Sequence, residues 1–120
     1  MKNVSLSNIP DEPSIHNPAI MKKVILTAGD VPHIKSVGQV NFMPGQVIPS
    51  HTHGDMHEIF IIRSGSGMIR INGCEHHLTS GSCTVVQPNE SHEVENTGSE
   101  PMQLVYFQIP LQLQNDTRSA

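Results

Sequence analysis

Short runs of β-branched and other apolar residues alternate along this chain with clusters of Gly, Pro, Asn and Ser. The runs fall at 24–26, 37–43, 46–52, 58–63, 68–71, 75–78, 83–86, 92–95 and 102–109, and each has the length of a strand. Turn signals separate them: Pro44-Gly45, Gly54-Asp55, Ser64-Gly65-Ser66-Gly67, Asn72-Gly73, Ser80-Gly81, Pro88-Asn89 and Thr97-Gly98. This close, regular punctuation predicts an all-β fold, a sandwich or barrel of antiparallel strands. Asn72-Gly73 is the clearest turn, because a two-residue type I′ loop needs positive φ at both positions. It predicts a hairpin in which 68–71 pairs with 74–78.

Residues 1–23 read differently. Pro10, Pro13 and Pro18 stand among polar residues and predict an extended arm with little pairing of its own, carrying Ile9, Ile15, Ile20 and Met21 as apolar anchors. A single barrel is expected over 24–111 and a polar tail over 112–120. In Ile59-Phe60-Ile61-Ile62 both faces of one strand are apolar, so one face lines the interior and the other needs a cover. A homodimer is the preferred cover, with the arm folding back over its own barrel as the alternative.

Composition supports the strand reading. The chain has 120 residues with 12 Ile, 10 Val and 6 Leu, no Trp, one Tyr and three Phe, so the core is aliphatic and mostly β-branched. A formal net charge of -4 with no basic run argues against nucleic acid as a partner. The apolar runs are too short to span a bilayer as helices, and the first residues show no apolar leader pattern, so a cytoplasmic protein is expected. Two cysteines, Cys74 and Cys83, make no disulfide framework and read as free thiols acting as small buried hydrophobes.

The eight His outnumber the seven Lys plus Arg. In His51-Thr52-His53 the i, i+2 spacing sends both imidazoles to one face of a strand, which is the start of a transition-metal site. Glu58 opens the apolar strand that follows, where a carboxylate is costly to bury unless it is paired or bound to a cation. His57 is expected to point away from the site, His76 and His77 to face solvent, and His16 and His33 to have no ligand role.

The pattern extends further. Gly45, five residues, His51-x-His53, four residues, Glu58, six residues and Gly65 resembles the first motif of the cupin superfamily at each defining position. Gly81, five residues, Gln87-x-Asn89, two residues, His92, three residues and Asn96 resembles the second, with Gln87 in place of the usual Pro and Asn89 in place of Gly. Asn tolerates positive φ better than other non-Gly residues, so that turn is expected to survive. The resemblance covers about 43–109. It implies a small jelly roll, a double-sheet antiparallel β-barrel of six to eight strands. It also implies one divalent transition metal per chain inside the barrel, bound by His51, His53, Glu58 and His92.

Three imidazoles and one carboxylate leave open positions on an octahedral ion, as in a Lewis-acid or oxygen-activating centre, and suit Mn, Fe, Ni or Zn. Strand parity offers Phe42 or Met43, Phe60, Met68, Tyr106 and Gln108 as lining for a small-molecule substrate. The resembling families include dioxygenases, decarboxylases, sugar isomerases, cyclases and non-catalytic ligand sensors. Three functions therefore stand: a metal-dependent enzyme on a small oxygenated metabolite, with Glu58 as ligand and proton acceptor; a binding module; or a structural metal site.

Overall fold

The structure, a computed structural model, describes residues 1–111. The tail expected over 112–120 lies outside the described residues. Among the described residues, ten strands follow a single 3-10 turn, Leu6–Asn8: β1 (Glu12–Pro13), β2 (Met21–Thr27), β3 (Ser36–Phe42), β4 (Val47–His51), β5 (Met56–Ser64), β6 (Gly67–Ile71), β7 (Cys74–Leu78), β8 (Cys83–Val86), β9 (His92–Glu95) and β10 (Met102–Pro110). They form two antiparallel sheets, one in the order β1-β2-β3-β10-β5-β8 and the other β4-β9-β6-β7. This is the all-β, double-sheet jelly roll that the punctuation and the motifs predict, with one strand over each apolar run and ten strands where six to eight are expected, because the N-terminal segment adds β1 to the sheet.

Period-two burial is clearest on β5, where Met56, Glu58, Phe60 and Ile62 are buried and His57, Ile59 and Ile61 are half-buried between them. Facing residues from both sheets close the interior, among them Phe42, Ile62, Met102 and Leu104 from one and Ile69, Leu78 and Val94 from the other. Each such side chain contributes on the order of 1.5–3 kcal/mol by leaving water. The Asn72-Gly73 hairpin forms as expected, with φ of 50° and 83° and β6 paired to β7 from Ile71↔Cys74 outward. Asn89 holds φ 70°, so it takes the left-handed place that glycine would fill.

The N-terminal segment is more engaged than its prolines suggest. Glu12 and Pro13 pair with Lys22 and Met21, and the Ser14 amide donates to the Ile20 carbonyl at 2.9 Å. Ile20 is fully buried in the core, and the Asn17 side-chain amide donates to the Val47 carbonyl at 2.8 Å. Ile15, expected as an anchor, is 84% exposed. Both cysteines are free as expected, yet both are exposed. Cys74 directly follows the hairpin turn, and Cys83 lies on edge strand β8 opposite the half-buried Ile61, so neither reaches the interior.

Asn96, the last residue of the second motif, ties the barrel end together. Fully buried, it donates through Nδ2 to the Phe42 and Glu100 carbonyls and accepts from the Gly98 amide. A hydrophobic residue there would leave those carbonyls without that donor.

Candidate metal centre

β4 is an edge strand, so Pro49 costs it no ladder hydrogen bond. The register against β9 shifts there: Ile48 opposes Val94, and His51 opposes His92. Three steps on β4 thus match two on β9, a bulge that lets both Ile48 and His51 line the interior despite their odd separation. The strand ends at His51, so His53 sits in the connection to β5 rather than on the expected continuous strand through 52. The second-motif turn holds it: the Asn89 amide donates to the His53 carbonyl at 2.6 Å. β5 begins at Met56, which places Glu58 third in the strand and facing in, while His57 faces away.

Two sheets therefore supply the cluster. His51 and His92 are cross-strand neighbours with ring centroids 4.2 Å apart, and His53 lies 4.8 Å from His51 and 5.0 Å from His92. Glu58 comes from the opposite sheet. One donor atom from each of His51, His53, Glu58 and His92 lies within 4.8 Å of all the others.

Backbone carbonyls orient two of the rings. Nδ1 of His51 lies 2.9 Å from the Pro49 carbonyl, and Nδ1 of His92 lies 3.0 Å from that of Glu90. A carbonyl only accepts, so each Nδ1 carries the hydrogen and each neutral ring keeps its lone pair on Nε2. Glu58 is divided between two tasks. Oε2 accepts from the Gln108 amide at 2.9 Å, and Oε1 lies 3.1 Å from His53 Nε2 and 3.4 Å from His92 Nε2. The His92 contact lacks hydrogen-bond geometry, and the fully buried Nε2 has no hydrogen-bond partner.

Electrostatics follow from burial and from these partners. Burial pushes the His51 imidazolium down to about 4, and the nearby histidines add to it. Burial acts to raise the Glu58 carboxyl, but the His92 ring and the Gln108 amide more than offset it and hold Glu58 below its ordinary range. Burial likewise acts to lower His92, and Glu58 with the Glu90 carbonyl reverses this, leaving it above its ordinary value.

The cluster forms part of the wall of a cavity of about 420 Å³. Phe42, Phe60, Tyr106 and Gln108 line it as parity predicts. Met43 is 52% exposed, and Met68 points away because Ile69, fully buried, takes the inward place on β6. His76 and His77 are exposed. His16 lies outside the four-residue cluster, but its ring stacks on His51 with centroids 3.9 Å apart and lines the cavity. Nothing local in the sequence signals this, because it depends on where Asn17 and Ile20 fasten the arm.

A family model described as Cupin domain matches residues 38–107. Among curated proteins, the tetracenomycin polyketide synthase protein TcmJ of Streptomyces glaucescens is 28% identical over 75 residues, which take in 62% of this chain and 50% of that protein. The oxalate-binding protein of Thermotoga maritima is 31% identical over 62 residues, 52% of this chain and 51% of that protein. The chain thus spans about half the length of these curated relatives. The crystal structure of a predicted oxalate decarboxylase from Thermotoga maritima superimposes with a TM-score of 0.85 at 23% identity, covering 92% of this chain and 100% of that one. The likeness to that structure is one of fold.

Proposed function

The chain belongs to the cupin family, and from that membership we propose that it is a metal-dependent enzyme acting on a small oxygenated metabolite, with His51, His53, Glu58 and His92 holding one divalent transition metal. The observation that carries this reading is the His92 Nε2 atom, buried, without a hydrogen-bond partner and within reach of three further donors. A buried polar atom left in that state is destabilising, and a cation satisfies its lone pair. Three imidazoles and a carboxylate, with no thiolate, fit Mn, Fe, Ni or Zn.

When bound, the metal supplies Lewis acidity toward carboxylate, enol or catechol oxygens. The protein's own residues do the rest. Pro49 and Glu90 carbonyls fix two imidazoles, and Gln108 turns one Glu58 oxygen toward the histidines. Apolar walls from Val40, Phe42, Ile48 and Leu104 limit the water that competes for a ligand. Glu58 is the proton acceptor of this reading, although its lowered carboxyl range favours the ligand role over the base role.

Dioxygenase, isomerase and decarboxylase chemistry all suit this site. A second reading, a non-catalytic module that binds a small ligand through the metal, is supported by the name of the Thermotoga oxalate-binding protein. The half-buried Ile59 and Ile61, beside Val85 at 46% exposure, support a second copy of the chain as the cover of that sheet face. Two free thiols accord with a reducing, cytoplasmic setting. Among the described residues no helix is long and apolar enough to cross a membrane.

Elemental analysis of untagged protein tests the metal. Stoichiometric metal in the native chain, lost in His51→Ala and His92→Ala with the strand spectrum retained, is the expected result. A variant that keeps full stoichiometry refutes the ligand set. Turnover of any oxygen-dependent, sugar or keto-acid substrate by the loaded protein decides for the enzyme over the binding module.

A further inference from the structure

Six of the chain's Lys and Arg residues are described, and four of them have partners. Lys2 pairs with Asp30, Lys23 with Asp11, Arg70 with Glu75, Glu93 and Glu95, and Arg63 donates to Gln39. Lys22 and Lys35 make no ion pair or hydrogen bond through their ammonium groups among the described residues, and both line the cavity. Glu12 stands opposite Lys22 in the β1–β2 register but is exposed and forms no ion pair with it. In a chain of net charge -4, this wall carries two lysines without an ion pair against the single carboxylate of Glu58, with Glu12 across from Lys22.

A third group in the same wall also lacks a partner. The Ser14 hydroxyl belongs to a residue only 7% exposed, lines the cavity and has no hydrogen-bond partner. Among the described residues, it and His92 Nε2 are the buried side-chain polar atoms left in that state. The two stand at different parts of the cavity wall: His92 belongs to the four-residue cluster, and Ser14 belongs to the arm beside β2. Lys22 on β2 lies three strands from Glu58 on β5, about 14 Å across the sheet, and its register row is that of Ile62, a further four residues or about 13 Å along β5. Lys35 precedes Ser36, which is two strands from Glu58 through Gln108. The long lysine side chains close part of these gaps.

We infer that the small molecule taken by this cavity is a dianion, with one oxygen-bearing end at the four-residue cluster and a second anionic group received by Lys22 and the Ser14 hydroxyl, with Lys35 further along the same wall. The inference rests on the proposed ligand-binding role of the cavity and names its substrate class. The second anionic group is a carboxylate or a phosphate, since ammonium and hydroxyl donors serve both.

Isothermal titration of the metal-loaded protein with succinate, glucose 6-phosphate and the monoacid butyrate tests it, alongside Lys22→Gln, Lys35→Gln and Ser14→Ala. Succinate or the sugar phosphate is expected to bind at least about tenfold tighter than butyrate, and the tighter of the two identifies the distal group. Lys22→Gln is expected to remove most of that preference while leaving butyrate within about twofold, with a smaller loss for the exposed Lys35. Equal affinity for dianion and monoacid in the native chain, or equal weakening of both by Lys22→Gln, overturns the inference. The titrations are repeated on metal-free protein. A lysine-dependent preference in a chain that binds no metal sustains this inference and refutes the metal reading, and metal binding without that preference does the reverse.

Discussion

Gln108→Leu tests how the centre is held together without touching a proposed ligand. The native amide donates to Glu58 Oε2 at 2.9 Å, and Glu58 is buried at 7% exposure, so water is a poor substitute for the lost donor. Leucine keeps most of the volume. A hydrogen bond to a charged group is worth about 1.5–3 kcal/mol, and the half-buried position of Gln108 argues for the lower part of that range. If the amide serves to aim Oε1 at the metal, affinity falls by about 10- to 30-fold, or about 1.4–2 kcal/mol. The Glu58 carboxyl also loses one of the three partners that offset its burial, so it rises, and the pH at which metal begins to bind rises with it. Competition with a chromophoric chelator for Ni(II) or Zn(II), measured across pH, reads both effects. A variant that folds and binds metal within about twofold of the native protein at every pH refutes the role assigned to Gln108.

Three further outcomes are expected. Gly38→Ala places a Cβ 2.5 Å from the Tyr106 hydroxyl and 2.7 Å from the Lys23 carbonyl, so it should cost about 1–3 kcal/mol in a urea melt; an unchanged midpoint contradicts the close approach. Tyr106 is the one tyrosine in a chain without tryptophan, and burial raises its phenol above 10.0, so absorbance near 295 nm should titrate higher in the folded protein than in urea. Because the folded value is the raised one, its contribution to stability is complete below the unfolded value and is lost as pH climbs through the folded one; coincident titrations in both states refute the buried placement. Val85→Glu, on the half-covered outer face beside Ile59, should convert a dimer to a monomer in light scattering, and a monomeric native chain removes the homodimer.

Much of this molecule is legible before any folding is considered. Strand periodicity arises from backbone geometry at each residue, so runs such as 102–109 and the Asn72-Gly73 turn declare themselves locally. Strand spacing also singles out His51 and His53, and the carboxylate opening an apolar strand singles out Glu58, while His92 follows from the resemblance to the second cupin motif. Met68 and the cysteines depart from the sequence pattern for an equally physical reason. Burial on a short strand depends on which face meets the other sheet, and a shift of one residue inverts it.

What the tertiary structure alone decides are distances between residues far apart in sequence. The Pro49 bulge brings His51 opposite His92, and packing of the two sheets carries Glu58 to within 3.1 Å of His53. Fastening the arm through Ile20 and Asn17 stacks His16 on His51 and seats Ser14 in the cavity wall beside Lys22. These placements depend on cross-strand register and on burial of remote side chains, which no local pattern encodes. The sequence by itself determined the strands and, with the family motif supplying His92, the four candidate ligands; the packed barrel decided how those ligands converge and which lysines without an ion pair face the cavity they share.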